Sequence, residues 1–328
     1  MPTSQNQKMK LVYLMKILQE RTDENHSLTV QELIIALNEY GVEAERKSIY
    51  SDMESLRQYG LNIETRKSKK FGYYIASRQF ELPELKLLVD AVQSSRFITQ
   101  RKSNMLIQKL SSLTSSHQAK ELSRQVVTAN RPKAINESVY YNIDSIHTAI
   151  NDGKKVSFKY FDYDLRKARA YRKAGESYTQ TPLALCWNDD KYYLICYSSK
   201  YDSIINFRID RMSGVSVCEE NADRFYKKNF NVSEYVRQTF GMYGGETVSA
   251  RLRFDKKSVN SVLDRFGADI KLNIAGDCFE IDIDVSPSPV FLSWIAQFGA
   301  NAEIISPESM RVAMRELITE LNEKYNRD

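Results

Sequence analysis

Four cysteines is a small number for 328 residues, and Cys186, Cys196, Cys218 and Cys278 form no Cys-x-x-Cys pair and have no histidine at metal-ligand spacing. That excludes the usual zinc frameworks and leaves reduced core thiols as the reading. Histidine is scarcer still: His26, His117 and His147 each lie outside any ligand-spaced cluster, and no nucleophile elbow, phosphate loop or zinc-protease helix appears. Local support for catalysis is therefore slight, and the expectation is a non-enzyme with no cofactor and no metal, although a site assembled from distant residues stays open. No apolar run approaches the roughly 20 residues that span a bilayer. The polar start Met1-Pro2-Thr3-Ser4-Gln5-Asn6 carries no signal-peptide core, so a soluble, cytoplasmic protein with no membrane partner is expected. Neither sign of charge dominates, since 47 Lys and Arg against 42 Asp and Glu leave a formal +5. Such a balance permits nucleic-acid binding without indicating it, and the placement of the charges has to decide.

What is present begins with helical periodicity. The length exceeds what one core usually organises, so two or three domains are expected. Over 9–20, Leu11, Val12, Leu14, Met15 and Leu18 recur at helical spacing, with Lys10, Lys16 and Gln19 on the other arc. Thr29 and Glu32 are spaced as a capping box, with Leu28 and Leu33 placed as a hydrophobic staple. Gly41 then ends the second helix, and a third follows after a short turn, the order of a helix-turn-helix. Over 45–59 the stripe Ile49, Met53 and Leu56 faces inward, leaving Lys47, Tyr50, Ser51 and Glu54 outward with Arg46 beside them. A basic, hydrogen-bonding first turn is what a recognition helix presents to base edges and phosphates. Arg46, Lys47, Ser48, Tyr50 and Ser51 are the candidate contacts, and Arg57, a turn or more later, would touch backbone. Glu45 opposes this, since it sits at the cap position and repels phosphate.

An ordinary solvated helix face is the competing explanation, and the next segment weighs against it. Leu61 and Ile63, then Phe71, Tyr73 and Ile75, alternate as two strands around Thr65-Arg66-Lys67-Ser68-Lys69-Lys70, which contains no acid. This reads as a wing with a cationic tip, adding Arg66, Lys67, Lys69 and Lys70 to the duplex-DNA candidates. Residues 1–79 are thus expected to form a winged helix-turn-helix. Residues 80–135 follow as a helical connector, starting at Pro83 and broken over 128–133, whose apolar faces pack on the molecule or on a second copy.

After a short helix over 143–150 the period switches to two, at Val156, Phe158 and Tyr160, then over 192–196 and 207–209, which implies a small β-barrel. Here the chain resembles the WYL-domain family, in Thr181-Pro182-Leu183-Ala184-Leu185, in Lys191-Tyr192-Tyr193-Leu194 and in Asn206-Phe207-Arg208-Ile209-Asp210-Arg211-Met212. Tyr192 stands where the family usually has tryptophan. The run Arg46-Lys47-Ser48-Ile49-Tyr50-Ser51-Asp52-Met53 is similar to the family's recognition helix, and the last third to its usual extension. The resemblance implies a bacterial transcription regulator whose central domain, here 136–220, is a five-stranded Sm-like barrel. It also implies a ligand that resembles a nucleotide or single-stranded nucleic acid. Locally, Arg208 and Arg211 would pair with phosphates, Tyr160 and Tyr193 offer stacking faces or hydroxyls, and Arg166 and Arg169 add positive charge. A structural ion-pair network among Arg208, Asp210 and Arg211 is the alternative, and Asp210 is read that way. Because Arg208 and Arg211 are three apart, a bend must intervene for both to face a ligand.

Residues 221–245 read as a surface linker, and 246–328 as a βαββαβ unit of ferredoxin-like type, with Trp294 as core. The fold class expected is α+β and multidomain. The function expected is a homodimeric regulator reading a pseudo-palindromic operator in duplex DNA under control of the ligand. A nucleic-acid-processing enzyme or its accessory subunit, and a protein-interaction adaptor, are the alternatives.

Overall fold

Three short amphipathic helices open the structure because their apolar residues recur on one face. Helix α1 (Lys10–Arg21) buries Leu14, Ile17 and Leu18, α2 (Val30–Asn38) buries Val30, Leu33, Ala36 and Leu37, and α3 (Arg46–Tyr59) buries Ile49, Met53 and Leu56. The capping box starts α2 as its spacing requires: Thr29 Oγ1 accepts from Glu32 N at 3.3 Å, and Glu32 Oε2 accepts from Thr29 N at 2.8 Å. Strands β1 (Ile63–Lys67) and β2 (Phe71–Ile75) pair antiparallel, from Ile63 against Ile75 to Lys67 against Phe71. Their inner residues Ile63, Tyr73 and Ile75 complete the core of the three helices. Gly72 is required by proximity, since a Cβ there would lie 2.6 Å from Ser27 Oγ.

This computed structural model describes residues 7–67, 71–122, 133, 136–223 and 231–326. It is α+β, with two compact units, Met1–Glu137 and Ser138–Asp328. The first unit includes α4 (Leu82–Ser94), α5 (Gln100–Ser111) and α6 (Ser116–Leu122), which bury Leu85, Val89 and Leu122 together. The turn after α1 ties these helices to the first three. Asp23, only 3% exposed, accepts from Asn25 N at 2.9 Å, from His26 N at 3.0 Å and from Ser115 Oγ, and its Oδ1 lies 2.8 Å from His26 Nδ1. The His26 ring stacks on His117 with centroids 3.7 Å apart. Thr22 Oγ1 accepts from Ile75 N at 3.1 Å, which adds the hairpin to the same knot.

The second unit starts with α7 (Ser138–Asn151) and six antiparallel strands: β3 (Lys154–Tyr163), β4 (Arg169–Tyr171), β5 (Tyr178–Asn188), β6 (Lys191–Ser198), β7 (Ser203–Arg208) and β8 (Met212–Asn221). β3 carries β8 on one edge; on the other it carries β5 along its first half and β4 along its second. The order is therefore β8-β3-β5-β6-β7, and the outermost strands β7 and β8 are joined by only the 3₁₀ turn Ile209–Arg211. Three residues cannot cross the width of an open five-stranded sheet, whose strands stand about 4.8 Å apart. The sheet has to curl until its edges meet. Its interior is aromatic: Phe207 meets Phe158, Tyr160 and Tyr178 edge-on, with centroids 5.0, 5.1 and 5.2 Å away.

The stretch 221–245 is more than a linker. Helix α8 (Val232–Gln238) packs Val232, Tyr235 and Val236 against Cys186, Tyr193, Ile195 and Met242. Asn206 Nδ2 donates to Tyr235 Oη at 2.7 Å and to Met242 O at 2.8 Å. Beyond it come β9 (Val248–Asp255), α9 (Val259–Phe266), β10 (Asn273–Ala275), β11 (Cys278–Val285), α10 (Pro289–Ala296), β12 (Ala302–Ser306) and α11 (Glu308–Tyr325). Their strands lie in the order β10-β11-β9-β12, every neighbour antiparallel. Trp294 packs among Phe240, Phe254, Phe266 and Phe298 as a core residue.

Two tests follow from the packing. Burial pushes the Asp23 carboxyl up, but the Ser115 and His26 hydrogen bonds outweigh it and hold it below its ordinary value. A folded value below the unfolded one makes the carboxylate stabilising above about pH 4, and that contribution is lost as pH falls through the folded value. Ser115→Ala is expected to cost about 1–2 kcal/mol at pH 7 and less at pH 3, read from urea midpoints; equal midpoints for both proteins at pH 7 contradict the account. Burial also pushes the Cys196 thiol far up. Under native conditions iodoacetamide should label the half-buried Cys218 and Cys278 before the buried Cys186 and Cys196, and mass spectrometry showing Cys196 labelled first contradicts it.

Candidate nucleic-acid interface and anion site

The inward stripe of α3 leaves its first turns facing water. Arg46, Lys47, Tyr50 and Ser51 are exposed, and Ser48 is half-buried with its hydroxyl donating to Glu45 O at 2.8 Å. Glu45 occupies the cap position, but its side chain makes no capping bond. Arg46 Nε donates to Tyr50 Oη at 2.9 Å and its guanidinium lies over that ring at 5.8 Å. Tyr50 in turn meets Tyr73 of β2 edge-on, with centroids 6.5 Å apart, so the hairpin lies directly beside the outward face of α3. Among the described residues Lys47 has no hydrogen-bond or ion-pair partner.

Two other candidates are engaged within the protein. Arg57 donates from Nε to Ile63 O at 3.0 Å and from Nη1 to Glu54 Oε2 at 3.4 Å, which fastens the end of α3 to the base of the hairpin. Arg66 donates from Nη1 to Glu24 O at 2.6 Å, across to the turn after α1. The Lys67 side chain and all of Lys69 and Lys70 lie outside the described residues.

In the second unit, closure of the sheet gathers the other candidates at its seam. Tyr193 pairs directly with Arg208 across β6 and β7, and the Arg208 amide donates to Tyr160 Oη at 3.3 Å. The turn Ile209–Arg211 supplies the bend between Arg208 and Arg211. Both arginines are paired: Arg208 grips Asp210 with two bonds of 3.1 and 2.7 Å, and Arg211 Nη1 donates to Asp162 Oδ1 at 2.9 Å. Arg166 and Arg169 are not drawn into this cluster. Arg166 is exposed beyond β3, and Arg169 lies over the Phe161 ring at 4.6 Å.

Four participants, Asp162, Arg172, Lys173 and Tyr178, were missed from the sequence. Arg172 Nε donates to Asp162 Oδ2 at 2.6 Å and its guanidinium covers the Tyr160 ring at 5.1 Å, while Lys173 Nζ lies 3.7 Å from the centroid of Tyr178. The signal was available: residues 166–173 hold five cations, Arg166, Lys167, Arg169, Arg172 and Lys173. The Arg172 hydrogen bond holds the Asp162 carboxyl below its usual range against the opposing effect of burial. Burial pulls Arg208 down, and the Asp210 carboxylate more than reverses that. Burial raises Tyr160 and Tyr193, which keeps both phenols in the protonated form at neutral pH. Guanidinium forks and phenols of this kind are the groups that pair with phosphates, and here the forks are held by Asp162 and Asp210.

The WYL domain family model matches residues 141–217, which cover the closed sheet as far as the middle of β8, and the WCX domain model matches residues 246–321. The chain thus carries a WYL domain followed by a WCX domain, a pair that matches the WYL-domain regulator family. No curated protein matches it. Among solved structures it is similar to proteasome accessory factor B/C (PafBC) of Arthrobacter aurescens, at 17% identity, a TM-score of 0.29, and coverage of 99% of this chain and 49% of that one. It is also similar to a CRISPR Cas-related protein, at 15% identity, a TM-score of 0.26, and coverage of 99% and 93%. The chain thus spans about half the length of the first of these structures, and overall likenesses at such scores carry no functional argument.

The two cations of α3 differ in what they hold. Arg57→Ala is expected to lower stability by about 1 kcal/mol by leaving the Ile63 carbonyl without its donor, and Lys47→Ala to stay within about 0.5 kcal/mol of the parent. Urea denaturation of the two variants decides, and a larger loss in Lys47→Ala contradicts the assignment.

Proposed function

We propose that the chain is a transcription regulator that binds duplex DNA through its first unit and an anionic ligand through its WYL domain. In this reading the first unit is a winged helix-turn-helix, with α3 in the major groove and β1–β2 as the wing. The closed sheet is an Sm-like barrel, and the antiparallel β10-β11-β9-β12 sheet with its helices is a ferredoxin-like extension. The observation that carries the proposal is the exposed first turn of α3, where Arg46, Lys47, Tyr50 and Ser51 stand together beside the hairpin. Arg46 and Lys47 suit guanine edges or phosphates, and Tyr50 and Ser51 suit phosphate oxygens.

The ligand is nucleotide-like or a single strand of nucleic acid, held by Arg172, Arg208 and Arg211 with Tyr160 and Tyr193. Its binding alters DNA affinity to the extent that it favours one state of the regulator. The regulator acts as a homodimer on a pseudo-palindromic operator, and no catalytic step is assigned to it.

The test is fluorescence anisotropy with a duplex recovered from fragments that co-purify with the protein, titrated across salt concentrations. Lys47→Ala should weaken binding and reduce the slope of log K against log salt by about 1. Arg208→Ala should leave duplex binding intact and abolish any effect of single-stranded oligothymidylate upon it. Duplex affinity that is independent of salt and of Lys47 contradicts the proposal.

A further inference from the structure

Asp162 joins three separate pieces of the closed sheet. It lies near the end of β3; Arg172 sits in the 3₁₀ turn that follows β4, and Arg211 sits in the turn that closes the seam. Its Oδ2 accepts from Arg172 Nε at 2.6 Å and its Oδ1 from Arg211 Nη1 at 2.9 Å. One carboxylate spanning two guanidinium groups is the arrangement that a phosphate makes with a pair of arginines. The three side chains remain open to water, at 38% exposure for Asp162, 52% for Arg172 and 30% for Arg211. Arg211 Nε is buried and has no hydrogen-bond partner among the described residues. The Arg211 fork is thus only partly satisfied by Asp162, which leaves its buried Nε without an acceptor.

We propose that Asp162 is an internal counter-anion, which occupies the place of a ligand phosphate between Arg172 and Arg211 and is exchanged for that phosphate on binding. The inference rests on the anion site described under the proposed function. Asp162 opposes binding in two ways. Its ion pairs have to be broken before the arginines are free, and its charge then repels the phosphate that replaces it. Ion pairs this exposed are individually weak, so the exchange is reversible and sets a threshold rather than a block. Without Asp162 the arginines would bind any passing anion; with it, only a ligand that makes further contacts, on the Tyr160 and Tyr193 hydroxyls or on Arg208, overcomes the competition. Asp162 is therefore a positioning and selectivity residue rather than a ligand contact.

The experiment measures the affinity of the full chain for a fluorescein-labelled single-stranded ten-nucleotide oligothymidylate, by anisotropy at fixed ionic strength. Asp162→Asn is expected to tighten binding by about three- to tenfold, and Asp162→Glu, which keeps the carboxylate, to return the affinity toward that of the parent. The gain should vanish in an Arg172→Ala/Arg211→Ala background, and Asp282→Asn, which removes an equal charge from the Arg251 pair in the other sheet, should produce none. A purely structural Asp162 would instead yield weaker binding in the Asn variant. Parent protein that binds the oligonucleotide with no gain in Asp162→Asn overturns the counter-anion role and leaves the anion site standing. Absence of binding by both overturns the site as well. Failure of both Asp162→Asn and Asp162→Ser to fold makes the residue structural and overturns the inference.

Discussion

The second unit depends on one constraint of chain length. The strands at the two ends of a five-stranded antiparallel sheet follow each other in sequence with three residues between them, Ile209–Arg211. Closure of the sheet is a consequence of that connection and of the right-handed twist that strands carry. The same three residues carry Asp210 and Arg211 and follow directly on Arg208, so the step that closes the sheet also sets the charged cluster at its seam. Tyr160 and Asp162, on the strand that receives the returning chain, are brought to the same place by the pairing of β3 with β8. Fold and site share one cause here.

The first unit is organised around a polar knot rather than a seam. Asp23 is buried at the turn after α1 and collects donors from its own turn and from the segment that starts α6. Thr22 takes the Ile75 amide beside it. A buried carboxylate is costly unless its lone pairs are filled, so this arrangement specifies one geometry for the turn, the hairpin and α6 together. The outward face of α3 then gains a rigid base: Ile49, Met53 and Leu56 hold the helix, Arg57 pins the hairpin to its end, and the cations of the first turn are left to the solvent.

The sequence was most informative where local rules decide. The capping box at Thr29 and Glu32, the inward stripe of α3 and the alternation of β3 rest on neighbours a few residues apart, and they stand in the structure as spacing requires. The bend expected between Arg208 and Arg211 is the 3₁₀ turn of the seam. Less legible were contacts between residues distant in the chain. Asp162 lies 49 residues from Arg211, and nothing in either local pattern announces the pair. Arg172 was passed over because its basic run lacks strand periodicity, and Arg166 and Arg169 were favoured from the same run although the cluster does not include them. Residues 221–245 read as a linker because their polar and glycine content hides the three apolar positions, Val232, Tyr235 and Val236, that pack α8.

The central claim is that the seam of the closed sheet, and not merely the basic surface of the chain, receives the anion. Amide hydrogen exchange of the full chain, with and without single-stranded oligothymidylate, addresses it at residue level. The account predicts slower exchange over 160–163, 172–175 and 208–212 when the strand is bound. Protection confined to α3 and the hairpin, with the seam unchanged, would contradict it.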